Sequence, residues 1–208
     1  MELKVNIQVS VDGVYQSNGG RHPDFDPGMD RGGWARPLFD DESQAYVSDY
    51  YQRADAFLFG RRTYEMFAWS WGTGTWGSDH GDNPISAALN TKSKYVASTT
   101  LTDPSWANTT VLSGNLASVI RDLKAQPGGE LQVHGSGALT RWLLASGLVD
   151  ELTLLVCPVI VGQGERLFPE QGPDLALELT ATRAFPKGII LQTYRPAGLP
   201  RYASDPTK

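Results

Sequence analysis

An apolar run that passes directly into a helical pattern restricts the fold of this chain more than any other stretch. Residues 56–59 have the length and composition of a buried strand, Gly60 ends the run, and helical periodicity begins at once. Glycine permits a sharp turn, so we expect a strand-to-helix corner whose free N–H groups face the carboxyl end of the strand. Those groups and the guanidinium groups of Arg61 and Arg62 favour an anion, most naturally a phosphate. The alternative is an ordinary turn with two solvated arginines and Thr63 as a helix cap.

The composition limits the classes of partner. The chain has 208 residues and a formal net charge of −5, which argues against a general nucleic-acid binder, so any anion site is a local basic pocket. No segment approaches the apolar length of a membrane span, and the start lacks the apolar core of a signal peptide. We therefore expect a cytoplasmic protein that binds a small molecule, and neither nucleic acid nor a membrane.

Cysteine and histidine content argues against cross-links and metal. Cys157 is the only cysteine, so no internal disulfide forms, and its apolar surroundings predict a buried thiol. The three histidines, His22, His80 and His134, are scattered, and no other residues stand at the spacing of metal ligands. We therefore predict no metal site.

Strand-like and helix-like segments alternate along the chain. Apolar and polar residues alternate over residues 3–11, which indicates a strand, and residues 40–53 read as a helix with an acidic start. Further strands are predicted at residues 94–98, 109–112, 131–133 and 149–161, further helices at 116–123 and after 137, and an antiparallel pair at 175–185 and 188–195. This order predicts an α/β domain over residues 1–196, with a mainly parallel central sheet and a closing antiparallel hairpin, and a loose tail at 197–208.

A long segment without periodicity follows the first strand. The stretch from Tyr15 to Pro37 is rich in glycine, proline, aspartate and arginine. A segment of this length inside a domain is typically a functional lid or a mobile connection. We expect a lid, because its glycines permit motion and because Phe25 and Trp34 provide flat surfaces that cover a substrate and exclude water.

A second glycine-rich turn, Gly135-Ser136-Gly137, follows a predicted strand and opens a predicted helix. It lacks the third glycine of a dinucleotide-binding fingerprint, and it lacks the flanking pattern of an esterase nucleophile. We interpret it as a second anion cradle that pairs with the Gly60 corner, because open sheets bind ligands across the carboxyl ends of their strands. A hydrolase that uses Ser136 is disfavoured, since no partnered base is evident.

Several motifs, each weak alone, occur together in a specific order and spacing. They are Ser10-Val11-Asp12-Gly13, Gly60-Arg61-Arg62-Thr63-Tyr64-Glu65, Lys94-Tyr95-Val96-Ala97-Ser98-Thr99, His134-Gly135-Ser136-Gly137-Ala138-Leu139, Leu148-Val149-Asp150-Glu151-Leu152 and Pro158-Val159-Ile160-Val161-Gly162-Gln163-Gly164. With these motifs, the chain up to about Arg195 resembles the dihydrofolate reductase-like superfamily. Within it, the chain resembles the branch that includes the reductase domain of riboflavin biosynthesis and small stand-alone bacterial relatives. The resemblance implies a three-layer fold with helices on both faces of the sheet.

The resemblance also implies a cofactor, NADPH. In the family, the first corner holds phosphate groups of the cofactor, a strand end meets the adenosine side with its 2′-phosphate, and the second glycine turn cradles the pyrophosphate. The matching residues here are, in that order, Gly60, Arg61, Arg62 and Thr63, then Ser98 and Thr99, and finally Gly135, Ser136, Gly137, Ala138 and Leu139.

The activity that the resemblance implies is hydride transfer from NADPH to a small heterocycle or a ribosylamino-pyrimidine related to riboflavin precursors. Two departures concern the substrate. Gln44 and Ser48 stand on the helix face where dihydrofolate reductases carry a carboxylate, and His134 stands where riboflavin reductases usually carry glutamate.

The sequence leaves the proton donor, turnover and assembly open. Asp12, Asp49 and Tyr50 are the candidate proton donors, with water as the alternative. The rival to an enzyme is a nucleotide-binding module of the same fold without turnover. We expect a homodimer, because the apolar run through Val161 and the closing strands carry more aliphatic surface than one domain hides, and relatives in this branch are commonly dimeric.

Overall fold

The computed structural model of the chain describes residues 1–22, 24–72 and 83–203. Its strands are β1 Glu2–Ser10, β2 Ala54–Gly60, β3 Ser93–Ala97, β4 Thr109–Leu112, β5 Glu130–His134, β6 Glu151–Cys157, β7 Leu177–Ala184 and β8 Ile190–Pro196. Its α-helices are α1 Asp41–Arg53, α2 Arg61–Phe67, α3 Pro84–Thr91, α4 Leu116–Ala125 and α5 Gly137–Ala145. A short 3-10 turn at Arg36–Leu38 precedes α1, and a π-helical turn at Ala68–Gly72 follows α2.

The strands form one eight-stranded sheet in the order β4-β3-β2-β5-β1-β6-β8-β7. Every pairing from β4 to β6 is parallel, whereas β8 runs antiparallel to β6, and β7 antiparallel to β8. The prediction of a mainly parallel sheet with a closing antiparallel hairpin is therefore confirmed. The carboxyl ends of the six parallel strands meet at one edge of the sheet.

Helices cover both faces of the sheet, as the resemblance implies. The apolar residues of β1, Leu3, Val5, Ile7 and Val9, belong to a buried cluster with residues of α4 and α5. On the other face, Phe57 of β2 packs in a cluster with residues of α1 and α3. The period-two pattern of β1 is thus explained by burial of one face against two helices. No helix in the described part of the chain has the length and apolar character needed to cross a membrane.

Helix α3 is an element that the sequence analysis does not predict. It begins with a local signal, because the Asn83 side chain accepts hydrogen bonds from the backbone N–H groups of Ile85 (2.9 Å) and Ser86 (3.4 Å), and Pro84 occupies its first turn. The helix is only eight residues long, which leaves too little periodicity to detect. Residues 73–82, which precede it and include Trp76 and His80, lie outside the described residues.

The apolar run at residues 149–161 forms a shorter strand than predicted. Strand β6 ends at Cys157, because Pro158 has no N–H group to continue the ladder. The thiol of Cys157 is fully buried, as expected, and burial raises its pKa to about 12. The tail begins in contact with the domain, since the N–H of Ala197 donates to the carbonyl oxygen of Ala176 at 2.7 Å.

Aliphatic surface remains exposed on the closing hairpin. The strand β6 uses its own apolar side chains in the core, but every residue of the edge strand β7 is exposed. Leu177, Leu179 and Ile190 are the large aliphatic residues on this surface. The hairpin is therefore where a subunit contact would bury apolar area, and the homodimer stays a prediction.

Strand β3 carries a lysine with a fully buried side chain. The Nζ atom of Lys94 donates to the carbonyl oxygens of Leu89 (2.7 Å) and Lys92 (3.0 Å), at the end of α3, and lies 4.7 Å from the ring centre of Trp106. The indole N–H of Trp106 in turn donates to Asn90 at 2.7 Å. Burial lowers the pKa of Lys94 to about 8. This lysine therefore joins the last turn of α3 to the sheet.

We expect Lys94→Ala to lower the free energy of unfolding by about 3 kcal/mol, because it opens a cavity and removes the Nζ donor from one buried and one partly buried carbonyl group. Lys94→Met keeps most of the buried aliphatic side chain, so it should lower the free energy of unfolding by less, about 1–2 kcal/mol. Urea unfolding followed by far-UV circular dichroism measures both values. Equal stability of the wild type and Lys94→Ala would contradict a structural role.

Candidate functional site

The two glycine turns meet at the carboxyl edge of the sheet, where β2 and β5 are neighbours. The N–H of Gly60 donates to the Oγ of Ser136 at 3.1 Å. A Cβ built on Gly135 would lie 3.7 Å from the methyl group of Thr63. The structure therefore joins the two predicted anion cradles into one surface, with Leu139 on the buried side and Ala138 exposed.

The expectation that position 60 needs the conformational freedom of glycine for a sharp turn is wrong. Its φ of −76° is open to any residue, and a Cβ there would only make ordinary contacts at 3.7–3.8 Å. The left-handed conformation occurs instead at Gly135 (φ 58°) and at Ser136 (φ 51°). A non-glycine residue in this region costs on the order of 1 kcal/mol, and here its hydroxyl compensates by binding the first corner.

Arg61 extends from the first corner to the end of the neighbouring strand β3. Its Nε lies 2.7 Å from the carboxylate of Glu65, and its Nη1 donates to the Oγ1 of Thr100 at 2.6 Å. Thr100 follows the predicted pair Ser98 and Thr99, and its N–H donates to the Oγ of Ser98 at 3.2 Å. Arg61 and the predicted adenosine-side residues thus lie on one surface, and Thr100 joins them as a residue that the sequence analysis missed.

Arg62 is bound to the segment after β1 and is not merely solvated. Its Nη2 donates to the backbone oxygen of Phe25 and lies 3.3 Å from the carboxylate of Asp26. Its Nη1 lies 3.4 Å from the carboxylate of Glu165, in the segment between β6 and β7. These partners are 36 and 103 residues away in sequence. No local spacing links them, so the sequence analysis missed Asp26 and Glu165.

The described residues of the segment from Tyr15 to Pro37, all but residue 23, make specific contacts with one another. The indole N–H of Trp34 donates to the carbonyl oxygen of Gln16 at 2.9 Å, and Met29 is buried. Trp34 is partly buried against Met29 within the segment and against Val161 after β6. The Phe25 ring lies 4.6 Å from the ring of His22, whose other neighbour is Trp69 at 4.3 Å after α2. The segment covers the joined corners from one side, and its role as a moving lid stays a prediction.

Tyr15 stands directly over the start of α5. A Cβ on Gly137 would overlap the phenol ring of Tyr15, so only glycine fits there. The Tyr15 hydroxyl donates to the Oε2 of Glu165 at 2.5 Å. Burial, with the contact to Glu165, raises the pKa of Tyr15 to about 12, while Arg141 opposes the rise. The phenol is therefore protonated and a hydrogen-bond donor at neutral pH.

Asp12 is an acceptor rather than a proton donor at neutral pH. Its Oδ1 accepts from the hydroxyl of Ser10 (2.7 Å) and the N–H of Val161 (2.9 Å), and its Oδ2 accepts from the N–H of Gly162 (2.9 Å). Burial alone would raise the pKa of Asp12, but these hydrogen bonds outweigh it and lower the pKa to about 2. The carboxylate connects the end of β1 to the segment after β6.

The other two candidate proton donors lie on helix α1. Asp49 is exposed. Tyr50 is buried, burial raises its pKa, and its hydroxyl has no hydrogen-bond partner among the described residues. The guanidinium of Arg53 lies 5.0 Å from the ring centre of Tyr50. The Tyr50 ring lies 5.5 Å from that of His134, at the end of β5, and a catalytic role for Asp49 or Tyr50 stays a prediction.

His134 is a buried neutral residue. Its ring stacks on that of Tyr51 with centroids 3.8 Å apart, and its Nε2 lies 2.9 Å from the Oε1 of Gln132. Burial lowers the pKa of His134 to about 3. The position at which riboflavin reductases usually carry glutamate is therefore uncharged here. In the described part of the chain, no three potential metal ligands cluster.

Comparison with models of protein families shows the family of this chain. The model of the RibD C-terminal domain matches residues 2–191, which is nearly the whole chain. The chain belongs to the RibD C-terminal domain family. Its resemblance to the riboflavin-biosynthesis branch, inferred above from short motifs, is thereby confirmed.

Solved structures show the same fold for this RibD C-terminal domain. A protein from Shewanella sp. PV-4 assigned to riboflavin biosynthesis is 23% identical, with 95% of this chain and 99% of that chain covered and a TM-score of 0.66. A pyrimidine reductase-like protein from Corynebacterium diphtheriae is 16% identical, with 94% and 92% covered and a TM-score of 0.61. Dihydrofolate reductase from Enterococcus faecalis, complexed with NADP(H) and RAB-propyl, is 13% identical, with 94% and 96% covered and a TM-score of 0.56. The dihydrofolate reductase-like fold is confirmed.

We expect Asp12→Asn to destabilise this RibD C-terminal domain by about 2 kcal/mol, because hydrogen bonds to a charged group contribute about 1.5–3 kcal/mol. Asp49→Asn, at an exposed position of α1, is the control and should leave stability within about 0.5 kcal/mol. Urea unfolding at pH 7 measures both. If Asp12→Asn is as stable as its control, Asp12 does not secure the segment after β6.

A second prediction concerns the pH dependence of stability. The unfolded chain protonates His134 below about pH 6.5, whereas the folded chain does so only near pH 3, so stability falls as the pH drops below 6.5. This residue alone should lower the free energy of unfolding by about 2 kcal/mol between pH 7.5 and 5.0. His134→Phe keeps an aromatic ring there and removes the titration. The pH-induced loss should therefore be smaller in the variant, and equal losses would contradict the buried neutral state.

Proposed function

We propose that this chain is an NADPH-dependent reductase that transfers a hydride to a small heterocycle or a ribosylamino-pyrimidine. The observation that carries the proposal is the single surface formed by the Gly60 and Ser136 turns, with Arg61 reaching to Thr100 beside it. This surface has the parts that a dinucleotide phosphate chain requires: a glycine turn, backbone donors and a guanidinium at the adenosine end. Membership of the RibD C-terminal domain family supports the same conclusion.

The residues at the start of α5 fit the pyrophosphate of NADPH. The Ser136 side chain does not cap the helix, because its Oγ accepts from Gly60 instead. The N–H groups of Gly137, Ala138 and Leu139, in the first turn of α5, are therefore not occupied by a side-chain cap. Gly137 has no side chain, but the Tyr15 ring lies over it, so a pyrophosphate at these N–H groups would also meet the Tyr15 hydroxyl.

Bound NADPH would supply the hydride, and the protein would bind, orient and shield the reacting groups. Arg61 and Thr100 would hold the phosphate at the adenosine end, where Arg61 already makes its hydrogen bond. The segment from Tyr15 to Pro37 would exclude water from the reacting ring. Asp12 stays ionised at neutral pH, so it would orient the segment after β6 and would not donate the proton.

An open depression of about 330 Å³ lies between α1 and the start of α3, and we take it as the candidate position of a small heterocyclic substrate. Gln44 and Ser48 line it together with the apolar side chains of Phe39, Val47 and Ile85. An amide and a hydroxyl provide hydrogen bonds without charge, where dihydrofolate reductases carry a carboxylate. This difference favours a polar, uncharged ring over a protonated pterin.

The second candidate is a nucleotide-binding module without turnover. It is favoured by the ionised state of Asp12 and by the uncharged residues at positions 44 and 48. Cofactor binding is common to both candidates, so binding is tested first. Oxidation of NADPH on addition of a pyrimidine substrate then separates the enzyme from the module.

We expect NADPH to quench the tryptophan fluorescence and to bind at least about tenfold more tightly than NADH, because a charge-assisted contact to the 2′-phosphate contributes about 1.5–3 kcal/mol. Arg61→Ala should remove most of this preference and leave the melting temperature nearly unchanged, since the Arg61–Glu65 pair is partly exposed. Arg121→Ala, exposed on α4, is the matched control.

Each outcome of the titration decides one point. Equal Kd values for NADPH and NADH would refute recognition of the 2′-phosphate. No binding of either nucleotide would refute a cofactor site. A preference that Arg61→Ala and Arg121→Ala reduce equally would assign it to overall charge rather than to Arg61.

A further inference from the structure

The carboxylate of Glu165 contacts two groups that can bind anions, the hydroxyl of Tyr15 and the guanidinium of Arg62. Its Oε2 accepts the hydroxyl of Tyr15 at 2.5 Å, and its Oε1 lies 3.4 Å from Nη1 of Arg62. Tyr15 itself lies against Gly137, so this carboxylate is one hydrogen bond away from the start of α5. Arg141 adds a second positive charge close to Tyr15. A carboxylate held in this way stands where a phosphate group would find the same donors.

The two carboxylates that bind Arg62 differ in how easily each can be displaced from its ion pair with the guanidinium. The side chain of Asp26 is only 5% exposed, and its Oδ1 also accepts from Nε2 of Gln16 at 3.0 Å. Its Oδ2 is buried and has no hydrogen-bond partner among the described residues, so loss of Arg62 would leave an uncompensated buried charge, which is costly. The side chain of Glu165 is 50% exposed and can turn into water at little cost. Glu165 is therefore the carboxylate that an incoming anion displaces.

We propose that Tyr15 and Arg62 form an anion site that Glu165 fills in the unliganded chain and that a phosphate group of a nucleotide takes over on binding. On this exchange, Tyr15 and Nη1 of Arg62 donate to phosphate oxygens instead of to Glu165. Nη2 of Arg62 keeps Asp26 and the backbone of Phe25, so the segment from Tyr15 to Pro37 stays attached to α2. Glu165 thus lowers the affinity of the site and excludes anions that make too few contacts to displace it.

The inference rests on the proposed function for the identity of the natural ligand, the pyrophosphate of a dinucleotide, but its test does not require that identity. Inorganic pyrophosphate is the probe, because it presents the same phosphate oxygens without a nucleoside. Binding is measured by isothermal titration calorimetry at constant ionic strength, which keeps charge screening the same for all variants.

We expect Glu165→Gln to bind pyrophosphate about three- to tenfold more tightly than the wild type, because the internal competitor loses its charge. Glu170→Gln is the matched control, since it removes the same charge from an exposed position of the same segment. Glu165→Ala is a second variant and should show a gain of the same sign. Far-UV circular dichroism establishes that each variant is folded.

The gain must also depend on the proposed donors. Arg62→Ala combined with Glu165→Gln should bind pyrophosphate no more tightly than Arg62→Ala alone, and Tyr15→Phe should reduce the gain. An affinity of Glu165→Gln and Glu165→Ala equal to that of the wild type, or a gain matched by Glu170→Gln, would overturn the inference. NADPH titrated in parallel tests the proposed function separately. Tighter pyrophosphate binding by Glu165→Gln, with no NADPH binding to either protein, would retain the anion site and reject the cofactor.

Discussion

Parallel pairing of β1 with both β5 and β6 is the constraint on which the site depends. Because these three strands and β2 run in the same direction, everything that follows their last residues emerges at one edge. The corner after β2 and the turn after β5 are then neighbours, and Gly60 can donate to Ser136. The segment after β1 begins at the same edge, which is why it can reach both turns. An antiparallel neighbour at any of these positions would send one of the groups to the opposite edge.

The sequence could predict what is encoded locally. Period-two burial identified β1, helical spacing identified α1 and α4, and the strand-glycine-helix junctions located both turns. Helix α3 was not predicted, because its eight residues give little periodicity and only the Asn83-Pro84 start marks it. The role of Gly60 was misjudged for a different reason. Glycine suggests unusual backbone angles, yet the backbone there is extended, and the left-handed residues are Gly135 and Ser136.

The partners of the site could not be read from spacing. Arg62 is recognisable as a cation beside a glycine, but nothing near it in sequence indicates Asp26 or Glu165 as its partners. Tyr15 was included only as the boundary of a loop, whereas the structure places its hydroxyl at the start of α5. Contacts of this kind are set by how three separate connections pack over one sheet edge. Their residue types, a phenol and two carboxylates, are common in any surface loop and carry no signature alone.

The net charge of the whole chain affects how the proposed site would bind an anion. A protein with a formal net charge of −5 repels anions at long range, so the nucleotide of the proposed function would have to gain its affinity from close contacts. The structure pairs Arg61 with Glu65, and Arg62 with Asp26 and Glu165. In the proposed site, these pairings would weaken the attraction of the arginines for small anions, since one weak contact cannot replace an ion pair that is already formed. A ligand that reaches Arg61, the start of α5 and Arg62 together can replace several such contacts at once. Under the proposal, selectivity for an extended polyphosphate over a single phosphate would then depend on the pairing of the arginines rather than on their number.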